Sequence, residues 1–480
     1  MACVFRHSPA FPTLAAMVKT ASTPALAALS LSMLLSSLGT SIANVGLPEF
    51  ARAFGASFQQ VQWIVVAYLV AVASLIVGAG RLGDLTGRRR LLLAGILLFS
   101  AASALCSAAP TLGLLVAARA AQGAGAALMM AMTLALAGGI VPKDGMGRAM
   151  GLLGTMSAIG TALGPTLGGA LIAAFGWRTL FLINLPIAAL ALLLAIRHIP
   201  ADRGKAEGER GGFDLPGTLL LALTLAAYAL AMTAGRGFGP LNAALLAAAG
   251  LGAGLFVLRQ ARSASPLIEW AALGQAGLKA SLAAGALVST VMMATLVVGP
   301  FYLSLSLGLE TAAVGLAMSA GPIAAALSAV PAGRLADRIG ARRTARIGLA
   351  AMVGGCVLVG LAPAALGVSG YAGPMTVVVV GYALFQTANN SAVMGDVAPE
   401  RRGVVSGLLN LSRNLGLVTG ASLMGAVFAA AAGMAEPADA APAAIATGMK
   451  ATFAVAAALA AAAMAVMAAA SRPVAASVSL

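Results

Sequence analysis

Two similar strings of glycine, acid and arginine are the most informative pattern in the sequence. Each reads Gly-x-Leu-small-Asp-x-x-Gly and ends in a basic cluster. Small residues let two helices approach closely, and an acid can cap a neighbouring helix N-terminus or pair with arginine. Such a cluster can hold a gate closed in one conformation and release it in another. Anchoring at the membrane interface would explain the arginines. It would not explain why an acid occupies the same position in both strings. The strings are predicted to form two gating loops, with Gly80, Asp84, Gly87, Arg88 and Arg89 in the first, and Gly333, Asp337, Arg338, Gly340, Arg342 and Arg343 in the second.

A second group surrounds an arginine within an apolar stretch. Insertion of an arginine at the centre of a membrane helix costs about 2.5–3.5 kcal/mol, so Arg119 is expected to have a function there. Gln122 lies one turn away and Gly123 follows it, which puts an amide on the same polar face. The alternative is a structural tether from the guanidinium to backbone carbonyls.

A third string, Gly160, Gly164, Pro165, Gly168 and Gly169, lies within one apolar segment. Proline removes a helix hydrogen bond, and glycines at i, i+4 and i+8 form a groove for close backbone packing. The string predicts a kinked helix that packs tightly on a partner and acts as a hinge or a seal.

No pattern supports covalent or metal chemistry. Cys3, Cys106 and Cys356 lack pairing or CxxC spacing, and His7 and His198 belong to no cluster of metal ligands. We therefore expect no catalytic, metal or cofactor-binding residues, no cofactor, and no enzymatic activity.

The amino-acid composition indicates which medium surrounds the chain. Of 480 residues 60% are apolar and 9% charged, against about 25% charged in an ordinary globular domain. Lipid is therefore the expected surrounding medium. The net charge of +15 raises the question of nucleic acid, but the basic residues cluster between apolar segments, as topological anchors do, so no nucleic-acid partner is expected.

Fourteen apolar stretches of membrane-spanning length predict an all-α integral membrane protein. The repeated string divides it into two parallel six-helix bundles with two extra central helices between them. The predicted organisation is a disordered cytoplasmic tail over 1–24, a bundle over 25–197, a cytoplasmic linker over 198–214, two inserted helices over 215–258, a cytoplasmic loop over 259–279, a second bundle over 280–470 and a cytoplasmic tail over 471–480. Translation could begin at Met1 or at Met17.

Together these strings resemble the major facilitator superfamily, specifically its fourteen-span drug:proton antiporter branch, over almost the whole chain. The stretch containing Trp177, Arg178, Phe181, Asn184 and Pro186 is similar to that branch as well. The resemblance implies the major facilitator fold and alternating access around a cavity near the midplane. The cavity candidates that it implies are Thr40, Asn44, Trp63, Tyr68, Met292, Gln386, Asn389 and Asn390.

The resemblance implies a secondary active, multidrug-type exporter of small amphipathic compounds in a bacterial inner membrane, driven by exchange for protons. Gly39 stands where the family places an acid in the first span, and Leu85 stands where it places a basic residue. The alternatives are an exporter of a specific anionic or neutral metabolite without conventional proton coupling, and a non-transporting membrane sensor or scaffold. The expected partners are a small-molecule substrate, a coupling proton and the lipid bilayer.

Lys and Arg are retained on the cytoplasmic side of membranes. With the N-terminus inside, all basic residues except Arg52, Arg119, Arg178, Arg236 and Lys450 fall at inner positions, Arg413 among them. Both termini are thus predicted to be cytoplasmic.

This topology predicts that a cytoplasm-active reporter fused near Arg210 is active and that one fused near Arg236 is silent. Reporter activity in intact cells measures it, with matched expression of the two fusions as control. The reverse pattern contradicts the topology.

Overall fold

The computed structural model describes residues 23–140, 146–201, 214–233, 239–263, 276–362, 366–395, 402–433 and 441–470. Within these ranges the backbone is helical and contains no strand. Fourteen segments are long and apolar enough to cross a membrane, which confirms the predicted number of spans. Most of the two predicted tails and of the 198–214 linker lies outside the described residues.

The first bundle is built from eight helices that form six spans. They are α1 (Thr23–Val45), α2 (Leu47–Phe54), α3 (Phe58–Thr86), α4 (Arg88–Ala108), α5 (Leu112–Ile140), α6 (Met146–Phe175), α7 (Thr179–Leu182) and α8 (Asn184–His198). Helix α1 packs on α5, α6 and α8, and α5 packs on α3 and α4. The first span ends at Val45, because the chain turns at Gly46 into the short α2.

Two further helices follow, α9 (Leu215–Thr233) and α10 (Pro240–Arg262). Asp214 holds them together: its carboxylate accepts hydrogen bonds from the Gly217 amide at 3.0 Å, Arg259 Nη2 at 3.1 Å and Gln260 Nε2 at 2.9 Å. Burial raises the pKa of Asp214, but these hydrogen bonds outweigh burial and hold that pKa below its usual value. Helix α9 also contacts α3, so this hairpin is attached to the first bundle.

The second bundle repeats the first. It comprises α11 (Ala276–Phe301), α12 (Thr311–Ile339), α13 (Ala341–Leu361), α14 (Gly367–Gly395), α15 (Arg402–Thr419), α16 (Gly425–Ala431) and α17 (Pro442–Ala470). Single π-helical turns, Tyr302–Ser306 and Gly420–Met424, continue α11 and join α15 to α16.

The two repeated strings are helical almost to their ends. Gly80 and Asp84 lie in α3, and Gly333 and Asp337 lie in α12, whereas the sequence placed them in loops. Only Gly87 and Gly340 break the helices, with φ of 102° and 90°. Such positive φ values strain any residue with a Cβ, so glycine permits the one-residue turn into the next helix.

These two turns lie at the same end of the molecule, which we call the motif face. The opposite end is the seal face. Because fourteen spans are an even number, both described chain ends, at Thr23 and Ala470, lie at the motif face.

Candidate functional site

The two bundles meet at the seal face through α6 and α12. A Cβ added at Gly315 would lie 2.5 Å from the carbonyl oxygen of Pro165, and one added at Gly169 would lie 2.9 Å from the Gly315 Cα. Real Cβ atoms do not come that close, so the two backbones are in direct contact. The hydroxyls of Thr166 and Ser319 also hydrogen bond across this contact.

The other glycines of this string face α1 within the first bundle. A Cβ at Gly160 would lie 2.5 Å from the Leu34 carbonyl oxygen, and one at Gly168 would lie 2.7 Å from Val45 Cγ1. At Gly164 the added atom would overlap the Ser41 hydroxyl. The string therefore packs on two partners: Gly160, Gly164 and Gly168 on α1, and Pro165 and Gly169 on α12.

A second contact between the bundles joins α3 to the end of α15. Gln62 Nε2 donates to the Ala421 carbonyl oxygen at 2.9 Å, and this carbonyl belongs to the π-helical turn. Phe58 inserts between Phe301 and Phe428, with ring centroids 4.6 and 5.3 Å away. Sequence reasoning missed the aromatic contact, because no periodicity links residues so far apart in the chain.

Towards the motif face the helices diverge. A Cβ placed at Gly80 of α3, Gly154 of α6 or Gly333 of α12 meets no atom within 4 Å. Nothing therefore packs against these three positions in the motif-face halves of the helices. The close contacts between the bundles described above lie at the seal face.

The first repeated string is anchored to its own bundle. Arg88 Nη1 donates to the Ala135 carbonyl oxygen at 3.3 Å, and Arg89 Nη2 donates to the Ile196 carbonyl oxygen at 2.7 Å. The side chain of Asp84 lies outside the described residues.

In the second string, four side chains are exposed at the motif face. These are Asp337, Arg338, Arg342 and Arg343. The acid and arginines are therefore accessible in this conformation.

Arg119 lies in the interior of the first bundle and is fully buried. Its Nε donates to the Ile64 carbonyl oxygen at 2.8 Å, its Nη2 to the Gly39 carbonyl oxygen at 3.0 Å, and its Nη1 to Gln122 Oε1. One guanidinium thus joins α1, α3 and α5. Gly123 tightens the same region, since a Cβ there would lie 2.4 Å from the Tyr68 carbonyl oxygen.

Aromatic and hydroxyl groups complete this cluster. The guanidinium carbon of Arg119 lies 4.3 Å from the Tyr68 ring centroid, a cation–π distance. Gln122 Nε2 donates to Ser103 Oγ at 2.7 Å, and the Tyr68 hydroxyl donates to the Ser36 carbonyl oxygen at 2.7 Å. The polar groups of Tyr68 and Arg119 are satisfied inside the bundle, which favours the structural tether as the role of Arg119.

The position of the absent acid lies beside this cluster. A Cβ added at Gly39 would lie 3.1 Å from the Tyr68 hydroxyl oxygen and 3.2 Å from two Phe99 ring carbons. Tyrosine and phenylalanine therefore occupy the space that an acidic side chain would need. The Gly39 backbone carbonyl is the group that accepts from Arg119.

The remaining cavity candidates of the first bundle are partly committed to other contacts. Thr40 Oγ1 donates to the Ser36 carbonyl oxygen and Asn44 Nδ2 to that of Thr40, both within α1. Trp63 Nε1 donates to Thr233 Oγ1 at 2.9 Å, which ties α3 to α9.

The candidates of the second bundle are partly buried amides and one thioether. Gln386, Asn390 and Met292 are half-buried, and Asn389 is buried, with its Nδ2 3.5 Å from the Ser281 carbonyl oxygen. The Oδ1 atoms of Asn389 and Asn390 have no hydrogen-bond partner. Helix α14 therefore retains unused hydrogen-bonding capacity.

Two six-span helical bundles that contact each other through α6 and α12 are the architecture of one class of polytopic membrane transporters. The chain belongs to the Major Facilitator Superfamily, whose family model matches residues 29–421. It is accordingly a transporter and not an enzyme.

Relatives and a solved structure agree with this assignment. The chain is 33% identical to the uncharacterized transporter YebQ of Escherichia coli over 81% of this chain and 85% of YebQ. It is 31% identical to the multidrug resistance protein Stp of Mycobacterium tuberculosis, over 84% and 75% of the two chains. A bacterial homolog of the human lysosomal transporter Spinster matches 93% of this chain and 96% of its own at 16% identity, with a TM-score of 0.68, and so shares the fold.

Arg119→Ala is expected to abolish transport, and Arg119→Lys to restore little of it, because one ammonium cannot reach acceptors on three helices in the planar array of a guanidinium. Uptake into vesicles and the yield of monodisperse protein measure the effect. Full activity of the lysine variant would show that transport needs only a positive charge at position 119 and not the guanidinium.

Gly315→Val is expected to prevent closure of the seal face, since its side chain would overlap the Pro165 carbonyl. Gly354→Val, in α13 at a position where an added Cβ meets no atom within 4 Å, is the matched control. We expect transport to fall by at least about tenfold in the Gly315 variant only. A loss of about 1.4 kcal/mol in the free energy of closure lowers the closure equilibrium constant tenfold. Equal transport by both variants contradicts a functional seal.

Proposed function

We propose that the protein is a secondary active exporter of small amphipathic compounds, working by alternating access in exchange for protons. The observation that carries the proposal is the pairing of a glycine-lined contact at the seal face with open space at Gly80, Gly154 and Gly333. Rocking of the two bundles about this contact would expose a central cavity to each side in turn.

The direction of the open face follows from charge. Basic residues gather at the motif face, as in Arg88 to Arg90 and Arg342 to Arg346, and the cytoplasmic side retains such residues. The motif face is therefore assigned to the cytoplasm of a bacterial inner membrane, with both termini there. A compound would enter the open cavity from the cytoplasmic side and leave after the seal face opens.

Proton exchange requires a group whose protonation changes with its exposure. In the sequence all 14 acids lie at span ends or between spans. Gly39 occupies the position in the first span at which the family has an acid. Asp84, in the last turns of α3 beside the gate, is the proposed coupling residue. This placement predicts coupling at the edge of the transport path and not at its centre.

Asp84→Asn is expected to abolish the dependence of transport on a pH gradient, because the amide cannot exchange a proton. Inverted vesicles with an imposed gradient measure uptake of a neutral compound, N-phenyl-1-naphthylamine. Glu310→Gln, which removes an exposed acid at the start of α12, controls for charge loss. Gradient-driven uptake that survives in the Asp84 variant would show that coupling lies elsewhere.

Export of a specific anionic or neutral metabolite is the second candidate function. The observation that favours it is the packing around Gly39, where Tyr68 and Phe99 fill the space of a buried acid. Without a buried anion, lipophilic cations are expected to be poor substrates. Ethidium uptake matching that of the neutral compound would argue against this candidate.

A further inference from the structure

Arg413 is a second arginine within a membrane span. The sequence counted it with the inner charges, but it lies in α15 inside the apolar segment Leu408–Ala431. Its side chain is half-buried, and its Nε is buried without a hydrogen-bond partner. Among the described ion pairs, Arg52 with Glu49 and Arg259 with Asp214, none involves Arg413.

The contrast with Arg119 defines the problem that this residue poses. Arg119 is the eighth residue of the apolar segment Leu112–Gly138, and Arg413 is the sixth residue of Leu408–Ala431. A charge inside such a segment costs up to about 2.5–3.5 kcal/mol, the value at the centre of a span. Arg119 offsets this cost with two backbone carbonyls, a glutamine and a tyrosine ring. Arg413 has no comparable set of partners in the described structure, and charged groups of this kind mark water-filled cavities and substrate pathways.

The contacts of α15 show the direction in which Arg413 projects. Ser412 Oγ donates to the Leu282 carbonyl oxygen, so this side of α15 packs on α11. Gly416 packs on α11 as well, because a Cβ added there would lie 2.2 Å from the Ala286 carbonyl oxygen. Arg413 lies about 60° round the helix from Gly416, at the edge of the α11 contact. Helix α15 also contacts α3 of the other bundle, and projection of Arg413 towards α3 is compatible with this position.

The distance of Arg413 from the seal face follows from its position along the helix. Arg413 precedes Ala421 by eight residues, which is about 12 Å along a helix. It lies that far from the seal, on the side of the open motif face. A charged group at this depth is reached through the cavity while the seal is closed.

Unused amide oxygens lie at the same height. Asn389 of α14 contacts the Ser281 carbonyl, and Ser412 contacts the adjacent Leu282 carbonyl of α11. The two contacts therefore place Asn389 and Arg413 level with each other. Asn389 and Asn390 each have an Oδ1 without a partner, and the guanidinium supplies donors. The region offers both a positive charge and hydrogen-bond acceptors.

We propose that Arg413 binds the anionic group of the transported compound, so that the preferred substrates are amphipathic organic anions such as carboxylates and sulfonates. A planar guanidinium suits such groups because it binds two oxygens at once. The inference rests on the proposed export function and specifies the charge of its substrate. It also assigns the cavity charge to Arg413 in place of Arg119.

A matched pair of probes tests this proposal. 1-Anilinonaphthalene-8-sulfonate and N-phenyl-1-naphthylamine share their aromatic rings and differ in the sulfonate. Binding of each to the full-length protein in phosphatidylcholine nanodiscs is measured by calorimetry, with empty nanodiscs subtracted. The variants are Arg413→Gln, Arg413→Lys and the control Arg262→Gln, which removes an exposed arginine at the end of α10.

We expect the unmodified protein and Arg262→Gln to prefer the sulfonate. Arg413→Gln should weaken sulfonate binding by about tenfold or more, the usual effect of losing a charge-assisted hydrogen bond, and should weaken neutral binding much less. Arg413→Lys should recover part of the loss, and unchanged gel-filtration behaviour shows that the variants fold. Equal losses for both probes, or no loss of sulfonate binding, overturn the proposal.

Vesicle uptake of both probes by the unmodified protein separates the two levels of inference. If neither compound is taken up, the export function is contradicted. The binding comparison still decides the role of Arg413 in that case. Uptake of the neutral compound without any preference for the sulfonate, in binding or transport, contradicts the role of Arg413 alone.

Discussion

Close backbone contact at glycine is the interaction on which both bundles depend. Lipid tails are as apolar as leucine, so burial of apolar side chains provides little drive for helix association within a membrane. Packing at short range must supply it. Gly95 of α4 lies against Gly125 of α5, and in the second bundle Gly348 of α13 lies against Gly381 of α14. The same solution thus recurs in both halves, alongside the matching turns at Gly87 and Gly340.

Contacts of this kind also suit a structure that must open and close. The α6–α12 contact uses Gly169, Gly315 and the Pro165 carbonyl, so two backbones meet without interlocking side chains. A flat contact can be separated and reformed with little rearrangement of rotamers. In contrast, the guanidinium of Arg119 connects three helices of one bundle, which favours movement of that bundle as a rigid unit. Close packing between bundles and polar bonding within a bundle therefore have different mechanical consequences.

The two arginines within spans also show how position determines role. Arg119 has its donors directed to fixed acceptors, so its charge contributes to the architecture of the first bundle. Arg413 is half-buried in α15, its Nε has no hydrogen-bond partner in the described structure, and it is the proposed binding site for an anionic group. A buried acid near Arg119 would have made that part of the first bundle a candidate site for proton coupling. At Gly39, however, Tyr68 and Phe99 lie within 3.2 Å of the position of an added Cβ. The chemistry of transport is thereby shifted towards the second bundle and the gate.

The sequence by itself determined the class of structure. Apolar segments of membrane-spanning length predicted fourteen spans, and two copies of one string predicted two related halves, because both features are local along the chain. The partners of each residue were a different matter, since the helices that meet in space are far apart in sequence. Only the tertiary structure directed Arg119 into the bundle, divided the Gly160 to Gly169 string between α1 and α12, and left the Nε of Arg413 buried without a partner in the described structure. Those choices depend on helix rotation and on which faces pack together, and apolar residues on every side of a membrane helix leave that rotation unspecified.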